Sequence, residues 1–250
     1  DVIGEPIAIA INPRTNQIYV VGTDNSLKVI DGNTLNTTNM GIGTTSANAI
    51  AINPQTNKIY VAKEAASADS NNVMVIDGGN INDAITFARN NPAPIAVAIN
   101  SKTEKIYLAY EEDANVAVID KDKNITTVTM HEGFPTAIAV NEQTNKIYVA
   151  IRDNPNVAVI DGVSNNTTYI GVGDSPEAIV GNSTGAIAIN NQTNKIYVAI
   201  LSANSSINNV TVIDGDNHNN KTPIAMNSPL IIAINEETNK AYVANFLANN

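Results

Sequence analysis

The stretch NPQTNKIYVA at residues 53–62 reads as a polar turn that leads into a short strand, and close variants of it occur six times in the chain. The first Asn of the motif is found at Asn12, Asn53, Asn100, Asn141, Asn190 and Asn235. Successive copies are 41, 47, 41, 49 and 45 residues apart, and each copy has a Thr three residues later and a Tyr seven residues later. A period of this length is typical of repeat architectures, so we number six units as repeats 1 to 6.

Each repeat is predicted to contain short strands without helical periodicity between them. The first is an uncharged segment such as IAVAI at 95–99, in which Ile or Val alternates with Ala, as in a strand buried on both faces. The second is the KIYVA segment, the third ends in Val-Ile-Asp, and the fourth is Thr-rich, as at 124–130. The fold class is therefore predicted to be all-β, a β-propeller of four-stranded antiparallel blades with six blades expected.

We expect residues 1–250 to form a single propeller domain whose blades begin near residues 7, 48, 95, 136, 185 and 230. The N-x-x-T-N-K segment is predicted to close the hairpin between the first two strands, because Asn and Thr side chains bond their own backbone and Asn tolerates left-handed angles. Pro13 and Pro54 suit the second position of such a turn. The Tyr of each motif is predicted to lie buried between blades.

Composition excludes several classes of function. The chain has 24 acidic and 14 basic residues and a formal net charge of -10, which disfavours nucleic-acid binding and anionic membrane surfaces. It contains no Cys, so thiolate metal sites and disulfides are excluded. No apolar run approaches the roughly 20 residues of a membrane span, so no membrane insertion is predicted.

The recurrent N-P-x-T-N-K-I-Y-V-A, taken with V-I-D-G, resembles the YVTN β-propeller repeat of archaeal and bacterial surface, secreted and surface-layer proteins. The resemblance covers essentially the whole chain, although Tyr-Val-Ala replaces Tyr-Val-Thr and YVAN at 242–245 is the nearest copy. Such families often have seven blades, whereas six motifs are present here. The resemblance implies an extracellular or cell-surface location and a binding or structural role, and it supplies no catalytic residues.

A binding patch is predicted on the face where the second-to-third loops and the blade-to-blade crossovers meet. The length variation of the chain falls on that face, at 63–72, 173–185 and 200–209, and loops on one rigid face are where binding usually occurs. Repeats 3 and 4 place aromatic and charged residues there, and the predicted patch comprises Tyr110, Glu111, Glu112, Asp113, His131, Phe134 and Arg152. The alternative is a solvated acidic rim with Phe134 packed against a blade.

Two functions follow from these observations. The first is a non-catalytic surface module that binds a protein or glycan partner or packs into a surface layer. The second is a secreted propeller enzyme, such as a metal-assisted lyase or lactonase. The chain has only His131 and His218, predicted on opposite faces, so a His-rich metal centre is excluded. Asp120 begins a sequence like a calcium loop, but Ile125 stands where Gly is needed, and no metal or cofactor is predicted.

Two further expectations concern the rim and the ends. N-glycosylation acceptors are predicted after the Val-Ile-Asp turn, at Asn36, Asn124, Asn166 and Asn220. Repeat 6 contains only two strands, near 230–235 and 240–246. We therefore expect that the chain is a segment of a longer polypeptide, or that copies of itself complete the sixth blade by strand addition.

Overall fold

A computed structural model describes residues 4–43, 45–64, 71–78, 80–88, 93–152, 156–172, 187–200, 209–226 and 229–245. These residues form 22 β-strands. No helix in this part of the chain is long and apolar enough to cross a membrane. The predicted extra residues at 173–185, most of those at 63–72 and 200–209, and the terminal residues 1–3 and 246–250 lie outside the described ranges.

Strands follow one another in antiparallel meanders, one sheet for each repeat, and we number the sheets 1 to 6 accordingly. Sheet 1 contains β1 (Pro6–Asn12), β2 (Gln17–Gly22), β3 (Ser26–Asp31) and β4 (Thr37–Gly41). Sheet 2 contains β5 (Ala47–Asn53), β6 (Lys58–Lys63), β7 (Asn71–Asp77) and β8 (Asn80–Ala88). Sheet 3 contains β9 (Ala96–Asn100), β10 (Lys105–Tyr110), β11 (Asn115–Ile119) and β12 (Ile125–Thr129).

The remaining three sheets continue the same order. Sheet 4 contains β13 (Phe134–Asn141), β14 (Lys146–Arg152), β15 (Asn156–Asp161) and β16 (Thr167–Gly171). Sheet 5 contains β17 (Ile187–Asn190), β18 (Lys195–Ile200), β19 (Asn209–Asp214) and β20 (Lys221–Ala225). Sheet 6 has two strands, β21 (Pro229–Asn235) and β22 (Lys240–Asn245). The prediction of an all-β fold is confirmed, and each first strand begins within about two residues of its predicted start.

The hairpin turn of the motif forms as predicted from its Asn residues. The Oδ1 of Asn141 accepts the backbone N–H groups of Gln143 and Thr144, each at 3.0 Å, and the other five motifs make the same kind of bond. The fourth loop residue has a positive φ in every repeat, for example 52° at Asn145. The prediction for Thr is not confirmed at Thr56 and Thr144, whose buried hydroxyls have no hydrogen-bond partner within the described residues.

The core consists of layers between consecutive sheets. The Tyr of one sheet packs against the Ile or Val residues of the first strand of the next sheet, so Tyr148 shares a cluster with Ile187 and Ile189. Four of the six motif tyrosines are buried, namely Tyr19, Tyr60, Tyr107 and Tyr148. Tyr197 is half-buried. The prediction is wrong for Tyr242, which is 56% exposed, since no sheet among the described residues packs on that side of sheet 6.

Sheets 1 and 6 are the two ends of the array. First strands of consecutive sheets contact each other from β1 through β21, but no comparable packing joins β21 or β22 to β1 or β2 within the described residues. On the outer side of sheet 1, Ile9 and Ile11 are 63% and 59% exposed. Packing that would close the six sheets into a ring is therefore not found among the described residues, and a six-bladed propeller stays a prediction.

Candidate binding face

Three predicted patch residues meet where sheets 3 and 4 adjoin. Phe134 begins β13 and pairs with Arg152 at the end of β14, so both side chains lie on the predicted loop face. The Arg152 guanidinium lies 5.6 Å from the centre of the Phe134 ring, which is cation–π geometry. Its Nη1 also donates a hydrogen bond to Oε1 of Glu111, in the turn after β10. We call Glu111, Phe134 and Arg152 the Arg152 cluster.

The Arg152 cluster is organised but still open to solvent. The side chains of Arg152 and Glu111 are 31% and 25% exposed, and Phe134 is 41% exposed. A guanidinium held by a carboxylate on one side and an aromatic ring on another keeps a narrow range of orientations. The cluster therefore presents one aromatic surface between fixed polar groups.

His131 and its neighbours form the edge of this face. The backbone N–H of His131 donates to the hydroxyl of Tyr169 at 3.0 Å, and the exposed imidazole stays at the surface. The amide of Asn156 donates to Oε2 of Glu132, which ties the β13 side of the face to β15. Glu132, Asn156 and Tyr169 were not among the predicted patch residues, although Glu132 and Tyr169 lie beside or contact one of them and Asn156 contacts Glu132.

Tyr110 does not belong to the binding patch, and its inclusion was wrong. It is only 1% exposed and packs in the core layer between sheets 2 and 3, with Leu108 and Tyr60. The reason is strand alternation, since positions 106, 108 and 110 of β10 share the face that meets sheet 2. Glu112 is exposed and Asp113 is half-exposed in the following turn, and their part in a binding patch stays a prediction.

The opposite face is built from turns that Asp side chains stabilise. The carboxylate of Asp161 accepts the backbone N–H groups of Val163 and Ser164 at 3.0 and 2.8 Å, and these bonds lower its pKa. Asp31, Asp120 and Asp214 make related bonds that likewise lower the pKa of each carboxyl. This pattern explains why Val-Ile-Asp recurs before the outer strand.

The predicted glycosylation sites all lie in these turns and all are exposed. Their backbone carbonyls accept the N–H of the turn Asp, for example from Asp161 to Asn166 at 2.9 Å. The side-chain amide of Asn124 donates to Oδ2 of Asp120 at 2.9 Å, and Asn220 bonds Asp214. Asn36 and Asn166 have no such side-chain bond within the described residues, so their amides are the more accessible acceptors.

His218 also lies on the opposite face, where the sequence placed it. Its Nε2 is 3.2 Å from the hydroxyl of Tyr148, and the two rings make an edge-to-face contact between sheets 4 and 5. Burial lowers the pKa of His218, and burial together with the charge of Asp216 raises the pKa of Tyr148 to about 12. His218 therefore serves an inter-sheet contact. No group of three or more His, Cys, Asp or Glu side chains is arranged to hold a metal in the described ranges.

A line of side-chain bonds between consecutive sheets was not anticipated from the sequence. The first Asn of one motif donates through Nδ2 to Oδ1 of the second Asn in the next motif, and we call this set the asparagine ladder. The four bonds are Asn12 to Asn57 at 2.7 Å, Asn100 to Asn145 at 2.8 Å, Asn141 to Asn194 at 2.7 Å and Asn190 to Asn239 at 3.0 Å. The sequence signal was present, because the second Asn recurs in five of six motifs.

The asparagine ladder is interrupted between sheets 2 and 3. Repeat 3 has Glu104 in place of the second Asn, at a φ of 56°. The Nδ2 of Asn53 is consequently buried without a hydrogen-bond partner within the described residues. A buried donor that lacks a partner costs free energy, so this interface is a weak step in an otherwise regular ladder.

The sheet arrangement is similar to that of a solved structure titled Kuenenia stuttgartiensis Hydrazine Synthase, with a TM-score of 0.73 and 15% sequence identity. The similarity covers 97% of this chain and 74% of that chain. It supports a β-propeller fold, and at this identity it shows the fold alone. No protein family model matches this chain, and no curated protein matches it.

Proposed function

We propose that this chain is a non-catalytic propeller module of the YVTN type that works outside the cell or at its surface. In this proposal, the face that carries the Arg152 cluster binds a protein or glycan partner. The observation that carries it is the Phe134 ring, 41% exposed and held against a guanidinium that is itself paired with a carboxylate. Aromatic and Arg side chains of this kind are enriched where surfaces recognise other molecules.

The chemistry of the face suits a neutral or weakly basic partner. The rim around Phe134 carries Glu111, Glu112 and Asp113, and the whole chain has a net charge of -10. The aromatic ring can stack on the apolar side of a sugar or on an apolar side chain, while the polar groups bond hydroxyls or amides. A strongly anionic partner is disfavoured by this distribution of charge.

Array binding tests the proposal. Labelled protein is applied to a glycan array and to an array of cell-surface proteins, together with the variants Phe134→Ala and Arg152→Gln. We expect specific signals that fall by at least about tenfold in both variants, because the two side chains support each other. Lys121→Gln is the matched control, since it removes one positive charge from a side chain that is 66% exposed in a turn on the opposite face.

Two results would contradict the proposal. Binding that survives both substitutions would place the recognition site elsewhere. Stoichiometric transition metal in the purified protein, detected by elemental analysis, would favour the secreted enzyme instead. The location is tested by antibody labelling of intact cells, where labelling that requires permeabilisation would contradict a surface position.

A further inference from the structure

The two ends of the array expose the two halves of one interface. In the interior, the second-strand Tyr and the neighbouring small residues of one sheet pack against the Ile and Val residues of the next first strand. Tyr60, for example, lies in one cluster with Val97 and Ile99 of the next sheet. The two interior halves cover each other, so their residues are buried or half-buried.

Sheet 6 exposes the half of this interface that contains the Tyr, since no further sheet among the described residues packs on it. Tyr242 is 56% exposed, whereas the equivalent Tyr148 is 0% exposed, and Ile231 beside it is 43% exposed. Asn235 is exposed too, although each of the five earlier first asparagines is at most 1% exposed. We call Ile231, Asn235 and Tyr242 the tail face.

Sheet 1 presents the complementary half. Ile9 and Ile11 occupy the positions of Val97 and Ile99, and they are 63% and 59% exposed, since no sheet among the described residues packs on that side of sheet 1. Asn16, the second Asn of the first motif, lies at the same end. We call Ile9, Ile11 and Asn16 the head face.

The asparagine ladder indicates a hydrogen bond that could join the tail face to the head face. Asn16 donates through Nδ2 to Oδ1 of Asn33 at 2.9 Å, as Asn194 donates to Asp216 at 2.8 Å in sheet 5. Asn194 at the same time accepts the amide of Asn141 on its Oδ1. The Oδ1 of Asn16 has no hydrogen bond within the described residues, so it retains the acceptor that the ladder uses. The amide of Asn235 is the corresponding donor at the other end.

We propose that the tail face of one copy of this chain docks on the head face of a second copy and reproduces the interior interface. In this contact, Tyr242 of the first copy packs against Ile9 and Ile11 of the second copy. Asn235 of the first copy donates through Nδ2 to Oδ1 of Asn16 in the second copy. The contact uses different surfaces on the two partners, so it leaves a free tail and a free head and can propagate. This interaction does not depend on the proposed ligand of the Arg152 cluster.

A pair of end-blocked variants tests the proposal by sedimentation velocity. The head-blocked variant carries Ile9→Lys and Ile11→Lys, and the tail-blocked variant carries Ile231→Lys and Tyr242→Lys. All four side chains are at least 43% exposed, so the variants are expected to fold. For the unaltered chain, the average mass should rise beyond that of a dimer over about a hundredfold range of concentration.

Each blocked variant alone should remain at the monomer mass of 26.4 kDa. An equimolar mixture should form a dimer and nothing larger, because one intact tail meets one intact head. An unaltered chain that stays monomeric at all concentrations overturns the proposal. Self-association of either blocked variant alone also overturns it, and would indicate pairing through the open edge of β22.

The ladder is tested separately with Asn235→Asp, which places a carboxylate opposite Oδ1 of Asn16. Self-association should weaken by at least about tenfold, because the donor is lost and two acceptors face each other. Asn219→Asp adds the same charge at an exposed position in a sheet 5 turn and should leave association unchanged. Equal effects of the two substitutions would mean that charge, rather than the ladder, controls docking.

Discussion

Sheets 4 and 6 carry nearly the same hairpin in two different surroundings. KIYVA and KAYVA form the same register with their first strands, so that Tyr148 pairs with Ala139 and Tyr242 pairs with Ala233. Yet Tyr148 is 0% exposed and Tyr242 is 56% exposed. The hairpin is thus a local product of its turn and strands, whereas burial of its Tyr requires the next sheet.

The largest expected difference concerns these two tyrosines. Tyr148→Ala should lower the free energy of unfolding by roughly 3 to 5 kcal/mol, because it deletes a buried aromatic ring. Tyr242→Ala should change it by no more than about 0.5 kcal/mol, as for other exposed positions. Urea unfolding of both variants, at a concentration where the chain is monomeric, measures the two values. Similar losses would show that the Tyr242 ring is covered in solution.

The next comparison concerns the first asparagines of the same two motifs. Asn141→Ala removes the bond to Asn194 and leaves two turn N–H groups without their acceptor, so it should cost roughly 2 to 3 kcal/mol. Asn235→Ala should cost about 0.5 kcal/mol, since water replaces the partners of an exposed side chain. Thermal denaturation of both variants gives the comparison. Equal losses of stability would mean that the asparagine stabilises the fold only through its own turn, and not through the bond to the next sheet.

The broken step of the ladder offers a gain in stability. Glu104→Asn should raise the free energy of unfolding by about 1 kcal/mol, because it supplies an acceptor for the buried amide of Asn53 and an Asn at a positive φ. Glu112→Asn removes the same charge from an exposed position and serves as the control. If both substitutions stabilise the protein equally, relief of acidic repulsion is the cause.

The smallest expected effect is a pH dependence of stability, which arises at the interface between sheets 4 and 5. Burial lowers the pKa of His218 in the folded state, so the folded state disfavours the charged imidazolium. Stability should be unaffected above the unfolded value of about 6.5 and should decline as the pH falls through and below it. His218→Asn introduces the residue that repeat 4 has four positions after its turn Asp, and it removes the titration.

Unfolding midpoints of the unaltered chain and His218→Asn should therefore diverge between about pH 7.5 and pH 5, with the unaltered chain losing more. A constant difference between the two proteins across that range would contradict neutral His218 as the folded form.

Much of the site could not be predicted from the sequence for a physical reason. The loop face followed from strand order. Glu111, Phe134 and Arg152 meet there because β10 packs against β13, whose Phe134 pairs with Arg152 at the end of β14. Tyr110 was misplaced because the sequence did not show that the alternation of Ile106 and Leu108 continues through the last residue of β10. The contact of His131 with Tyr169 joins residues that are 38 positions apart, which no local pattern indicates.

The sequence by itself determined the repeat, the strands and the turns, because these depend on bonds among residues that are close along the chain. Asn141 with its own turn and Asp161 with the two N–H groups after it are examples. Only the tertiary structure decided how the residues at one position of the motif differ between repeats in burial and in hydrogen-bond partners. Asn53 lost its partner through a substitution in the next repeat, and Tyr242 is exposed because the packing of each sheet depends on a neighbour that is some 45 residues away in the chain.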